Sequence, residues 1–259
     1  MAGNGYFHIM KVILNFISVS VLVLVSGCTT MYDWLRADPA PQTSFLDGSG
    51  KLVAQSPDFP FRKMWVDKNV DLNKYNKIVV APVNTKFLMN STAWNKLDAR
   101  TMEGEVKEDS VEMAKYMECS FRNAVTYDKK RRFTLADNAG PDTLSLEIAL
   151  VQLEPTKAEL NVVENVVGIV IWPVSFLTVF NSGSTAFEGI LRDSQTGKIV
   201  CTFADREMDE AAIFNIPGFT YYGNAKYFTD RWSGQFLDFM NAKDYTQLKT
   251  DFPFKLIVW

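Results

Sequence analysis

The sequence predicts an α+β fold: a largely antiparallel sheet with two main amphipathic helices packed on it. Three observations predict it. Two long segments repeat their apolar residues at helical spacing. One stretch alternates apolar and polar residues over a full strand length. A Gly-closed turn joins two further strand-like runs.

The elements follow in chain order. Asn76 to Val83 is a short run rich in β-branched residues and interrupted by Pro82, which reads as a buried first strand. From Glu105 to Tyr127 the residues Val106, Met113, Ala114, Met117, Phe121, Ala124 and Val125 share one helical face. Glu108, Glu112, Lys115 and Arg122 lie opposite, so this helix lays an apolar stripe on the sheet. Arg131 and Arg132 lead into a short strand from Phe133 to Ala136. Asp142 to Leu153 places Leu144, Leu146, Ile148 and Leu150 on one side, the mark of a half-buried strand. Thr185 to Asp193 and Lys198 to Arg206 are two more strands. The turn between them, Asp193 to Gly197, puts Gly where a positive φ is needed. Ala225 to Met240 is the second helix, with Phe228, Trp232, Phe236, Phe239 and Met240 on one face. Lys255 to Trp259 ends the chain as a short strand or packed tail.

The N-terminal stretch bears on destination. Val12 to Val25 is a run of fourteen residues, eleven of them apolar, preceded by Lys11. That suits a signal-peptide core and is short of the ~20 residues that span a bilayer as a helix. Met10-Lys11 reads as the natural start. The run ends in Val25-Ser26-Gly27-Cys28, which resembles the bacterial lipobox. There the Cys thiol receives the diacylglyceryl group, and small residues before it admit the signal peptidase to the backbone. The expected organisation is a lipoprotein signal peptide over 1–27, cut between Gly27 and Cys28, a flexible tether over 28–56 and a single α+β periplasmic domain over 57–259. The competing readings are an ordinary secretory signal with a chance Cys and an uncleaved N-terminal anchor. Two or three acyl chains, at ~0.8 kcal/mol per buried CH₂, make such an anchor lasting, so the first partner is a lipid bilayer.

Composition narrows the chemistry. Removing 1–27 takes away one charge, Lys11, and leaves 26 basic against 30 acidic residues. That balance offers no basic excess for nucleic acid. The only histidine, His8, lies in the leader. Beyond it there is no His for a Ser-His-Asp or Cys-His arrangement and none for the common zinc sets. The chain has no Gly-x-Ser-x-Gly, no Gly-x-Gly-x-x-Gly and no P-loop spacing. The sequence therefore predicts no catalytic residues, no metal and no cofactor, although a Ser-Lys pair stays open.

Four other features carry competing readings. Cys119 sits on the polar helix face and Cys201 on the core side of a strand, which predicts two unpaired thiols. Val162 to Phe180 is strongly apolar with Glu164 and Pro173 inside it. It is either core, membrane-contacting, or the wall of an apolar pocket. Phe214, Phe219, Tyr221, Tyr222 and Tyr227 either plug the core beneath a loop or stack on a ligand. Asp205, Glu207, Asp209 and Glu210 read as a solvated acidic face.

Four segments together resemble a family of uncharacterised proteobacterial lipoproteins, domain of unknown function 3313. They are the lipobox followed by Ser44-Phe45-Leu46, the Tyr75 to Val83 strand with its Ala-Pro-Val, an apolar Gly-containing stretch before the hairpin, and Leu191 to Lys198 leading to Asp205. The aromatic loop from Phe214 to Tyr227 is longer than that pattern. The resemblance implies a Gram-negative periplasmic lipoprotein without a known activity. Thr29 rather than Asp after Cys28 then implies the outer membrane. The expected function is non-catalytic docking of an envelope protein or of cell-wall material. The alternative is a carrier for an apolar ligand or lipid.

Overall fold

The computed structural model describes residues 40–47, 52–54, 60–88, 99–154, 183–208, 211–215, 222–242 and 254–258. The predicted α+β architecture is present. Seven strands form the main sheet: β1 (Val53–Ala54), β2 (Lys63–Val66), β3 (Lys77–Val80), β4 (Thr134–Leu135), β5 (Thr143–Glu154), β6 (Ser184–Asp193) and β7 (Ile199–Met208). Their order is β1-β2-β7-β6-β5-β3-β4. Every pair from β1 to β5 along that order is antiparallel, while β3 runs parallel to both β5 and β4. The parallel pair β3–β4 exists because helix α1 (Ala99–Thr126) lies between them in the chain. A parallel neighbour needs a long crossover. Strand β8 (Ala211–Asn215) pairs in parallel with β9 (Phe254–Val258) in a separate two-stranded sheet, with helix α2 (Gly223–Asn241) between them in sequence.

Both helices lie on one face of the main sheet. From α1 come Met113, Met117, Phe121 and Val125; from α2 come Phe228, Trp232, Phe236, Phe239 and Met240. They meet Leu144, Leu146, Ile148 and Leu150, the side of β5 that its alternation predicts. Burying one such side chain is worth ~1.5–3 kcal/mol, so this layer dominates stability. Helix α1 starts at Ala99, six residues before the predicted start. The segment Ala99 to Gly104 shows no apolar stripe from which a helix could be read. Strand β3 stops at Val80, two residues before Pro82, which has no N–H for a ladder.

Packing across the β6–β7 hairpin is tight. Gly189 faces Phe203, and a Cβ added at Gly189 would stand 2.4 Å from the Phe203 ring. The ring takes the space a side chain would fill, so this position requires Gly. At the turn Gly197 has φ +69, as its place after Asp193-Ser194-Gln195-Thr196 predicts.

Strand β5 departs from the predicted half-burial. Its register slips between Leu150 and Gln152, which returns Leu153 to the helix side. Ala149, Val151 and Ala186 form a second small cluster on the other face, packed against Ala40, Phe45 and Phe87. The far half of β5 is therefore covered on both sides. Part of the cover comes from residues expected in the flexible tether 28–56, and this corrects the tether's far end. Residues 40–47 lie on the sheet, and β1 pairs with β2. The expected signal peptide 1–27 and its expected Gly27–Cys28 cleavage position lie outside the described residues, as do Thr29 to Pro39.

Candidate functional site

Polar chemistry concentrates in four places among the described residues, three on the sheet and its turns and one between the helices. The first is the sheet face turned away from the helices. Glu188 follows Phe187 on β6, so its side chain points opposite to that core ring. It is 2 % exposed. The backbone N–H of Thr43 donates to Glu188 Oε1 at 2.8 Å, and Thr43 Oγ1 donates to Oε2 at 2.6 Å. Lys63 Nζ donates to the Ala40 carbonyl at 3.3 Å. Phe45 meets Phe87 edge-on, with ring centroids 5.4 Å apart. Burial raises the Glu188 pKa above the ordinary glutamate value, and the two Thr43 donors and the nearby Lys63 charge partly offset it. A recess of about 220 Å³, open solvent included, lies beside this contact between Ala40, Lys63, Phe187, Glu188, Ala204 and Asp205.

The second place is the end of the sheet where β5 stops and β6 begins. Glu207 and Arg231 form an ion pair at 2.5 Å, with side chains 9 % and 13 % exposed. Asp205 is 3 % exposed. The predicted solvated acidic face is thereby corrected for these two residues. Asp205 and Glu207 share strand parity with Phe203, so they point under α2 rather than into solvent, and Arg231 of α2 neutralises Glu207. Asp209 and Glu210 lie outside the described residues. Nearby, Gln152 Nε2 donates to Ser184 Oγ and Glu154 Oε1, and Ser184 Oγ donates to Glu154 Oε2.

The third place is the hairpin end, built from the Leu191 to Lys198 segment. Asp193 accepts from the backbone N–H groups of Thr196 and Gln195 and from the Tyr75 hydroxyl. Those donors, the Thr196 N–H foremost, hold its carboxyl well below the usual range. Lys198 pairs with Asp67 at 2.7 Å, and Arg192 with Glu147 at 3.1 Å across β6–β5. Ser194 Oγ bridges to both backbone groups of Gly140. The segment with the most recognisable sequence thus ties three turns together, and each charged group named is engaged with another part of the fold.

The helix–helix seam carries a further cluster. Asp230 accepts from Tyr116 and Ser120, and Ser120 also bonds Ser233. Burial, followed by the Asp230 carboxylate, pushes the Tyr116 hydroxyl up to about 12. Lys226 lies over the Tyr116 ring at 5.4 Å. This arrangement locks α1 to α2.

The remaining predicted features resolve as follows. Cys119 is exposed and Cys201 buried, and both are free, as their faces predict. Cys201 belongs to the main core, and that burial raises its thiol far above the ordinary value. Of the aromatic cluster, Tyr222 and Tyr227 pack against the main core, which is the plug reading. Phe219, Tyr221 and all of Val162–Phe180 lie outside the described residues. Among the described residues no group of three or more His, Cys, Asp or Glu is placed to hold a metal. Nor is any helix among them long and apolar enough to cross a membrane.

Sequence reasoning missed Glu188, Thr43 and Arg231. A signal for Glu188 exists: it is the one charge between Ala186 and Ile190 on its face of an apolar strand. Thr43 and Arg231 carry none, because their partners are distant in the chain.

No curated protein and no solved structure matches the chain. The family model described as Protein of unknown function (DUF3313) matches residues 42–236, from beside Thr43 into α2, and the chain belongs to that family.

Proposed function

We propose that this protein is a non-catalytic outer-membrane lipoprotein, acylated at Cys28, that docks a partner protein or cell-wall material in the periplasm. The lipobox supports the anchor, since an apolar run, small residues and Cys28 stand in the order that lipid transfer needs. The observation that carries the non-catalytic reading is the engagement of the acids. Glu188 is held by Thr43, Glu207 by Arg231, Asp193 by its turn and Tyr75, and Asp67 by Lys198. A general acid or base needs a free face toward substrate within hydrogen-bond reach. Each of these carboxylates is engaged by a donor or cation of the fold itself. Docking is favoured over carriage of an apolar ligand because rings fill the space between sheet and helices. Phe61, Phe187, Phe203, Phe236 and Trp232 are each about 1 % exposed or less.

The test is crosslinking in intact cells, followed by purification of the tagged protein and mass spectrometry, with Cys28→Ser as the mislocalised control. One abundant partner, protein or peptidoglycan fragment, that disappears in the control is the expected result. Equal recovery of every species from both forms would remove docking at the membrane as the function.

A further inference from the structure

The turn that leaves helix α1 gathers cations. Lys129, Lys130, Arg131 and Arg132 follow one another there, beside the carboxylate of Asp128. Lys129, Lys130 and Arg131 are exposed, and none of them forms an ion pair with a described residue. Tyr127, just before them, is 78 % exposed, an aromatic ring left in the open. The turn is held from inside. The buried Asp128 carboxylate accepts from the backbone N–H groups of Lys130 at 2.9 Å and Arg132 at 3.4 Å, and from Asn241 at 3.1 Å. Arg132 donates inward, to the carbonyls of Met240 and, at 3.0 Å, of Leu72. That contact brings the exposed Asp71, beside Leu72, to the same end of the molecule, and one acid leaves the turn positive. Arg131 has φ 50, a left-handed position where Gly or Asn sits at less cost, and the chain carries a cation there instead. Side chains displayed from a fixed turn lose less entropy on binding than those of a loop that must first be ordered.

We propose that this turn is a docking tip for a membrane surface of anionic phospholipid. Lysine and arginine are attracted to the charge of such a surface, and tyrosine settles at the level of its headgroups. Ring and cations together fit that layered surface better than a soluble polyanion, which offers charge without an apolar layer. The acidic balance beyond residue 27, 26 basic against 30 acidic residues, would also repel a polyanion wrapped along the domain. A flat surface touched at one turn meets the remaining charge only through screening salt. An acylated Cys28 would hold the domain beside such a surface. That last step rests on the lipoprotein reading; the affinity of the turn does not.

The test reads contact at the turn in the full chain. Cys28→Ser, Cys119→Ser and Asn123→Cys leave one accessible thiol, a helical turn before Tyr127, for a polarity-sensitive fluorophore. Vesicles of phosphatidylcholine alone, or mixed with phosphatidylglycerol, are titrated in. The expected result is a blue shift with the mixed vesicles only, reversed at high salt. Lys129→Gln, Lys130→Gln and Arg131→Asn together should weaken the apparent affinity roughly a hundredfold, with an unchanged melting midpoint. Tyr127→Ser should weaken it without altering its salt dependence. Equal shifts with both kinds of vesicle would overturn the proposal, and this comparison within the parent decides the matter even if the triple variant misfolds. A folded triple variant that binds like the parent would overturn it too. So would a response to dextran sulfate with none to the mixed vesicles, which would make the turn a site for soluble polyanions. Every arm lacks the acyl group, so the outcome stands apart from the anchor. An unmodified Cys28 in the parent chain would remove the anchor and leave the tip.

Discussion

On the helix side of β6, Phe187 packs against Phe61, Phe203 and Trp232, with ring centroids 4.6–5.8 Å apart. One residue further along, on the opposite side, Glu188 is equally buried but is satisfied by two donors from Thr43. The first face is closed by area and shape, which are non-directional and summed over many rings. The second combines directional bonds from Thr43 to a buried carboxylate with the apolar cover of Phe45, Phe87 and the buried Leu46. The comparison teaches that two surfaces of equal exposure can be closed by different kinds of interaction. Burial alone does not report what holds a segment.

The comparison can be broken or sharpened by substitution. The largest effect is expected at Trp232→Ala, which removes the most voluminous fully buried side chain among the described residues. It should cost ~3–5 kcal/mol in urea unfolding. Arg231→Met should cost a similar ~3–5 kcal/mol by leaving Glu207 buried and unpaired. Adding Glu207→Gln to it should recover part of that loss, which a purely steric role for Arg231 would not allow. Gly189→Ala drives a methyl into the Phe203 ring and should cost ~1–3 kcal/mol in the same assay. The hairpin end supplies a pH effect. The lowered Asp193 pKa contributes stability that is present above the unfolded value near 3.8 and is lost as the pH falls through the lower folded value. Asp193→Asn should therefore flatten the acid limb of a pH–stability curve. The smallest effect belongs to Cys119→Ser on the exposed face of α1, expected within ~0.5 kcal/mol of the parent.

What the sequence revealed follows the same division. Helix α2 and strands β5 to β7 were legible because area-driven packing leaves a period in the chain. Phe228, Trp232, Phe236 and Phe239 recur at helical spacing, and Leu144 to Leu150 at strand spacing. The unpaired state of Cys119 and Cys201 followed from the same periods. Directional contacts leave no period. Thr43 sits in a Pro- and Gly-containing stretch that reads as tether, and only the distant Glu188 gives it a place. The acidic run was misread for a related reason. Asp205 and Glu207 alternate with Arg206 and Met208, so parity with Phe203 pointed inward, while the charge that makes burial tolerable, Arg231, belongs to another element. Strands β1 and β2 were not anticipated, because Val53–Ala54 and Lys63–Val66 are too short to show alternation.

The most direct measurement is the intact mass of the protein and of its N-terminal peptide after extraction from cell membranes. A chain that begins at Cys28 and carries a diacylglyceryl group on the thiol, with or without a further acyl chain on the amine, is the result predicted here. A membrane-free chain with an unmodified Cys28 thiol, or one that retains Met10 to Gly27, would contradict it.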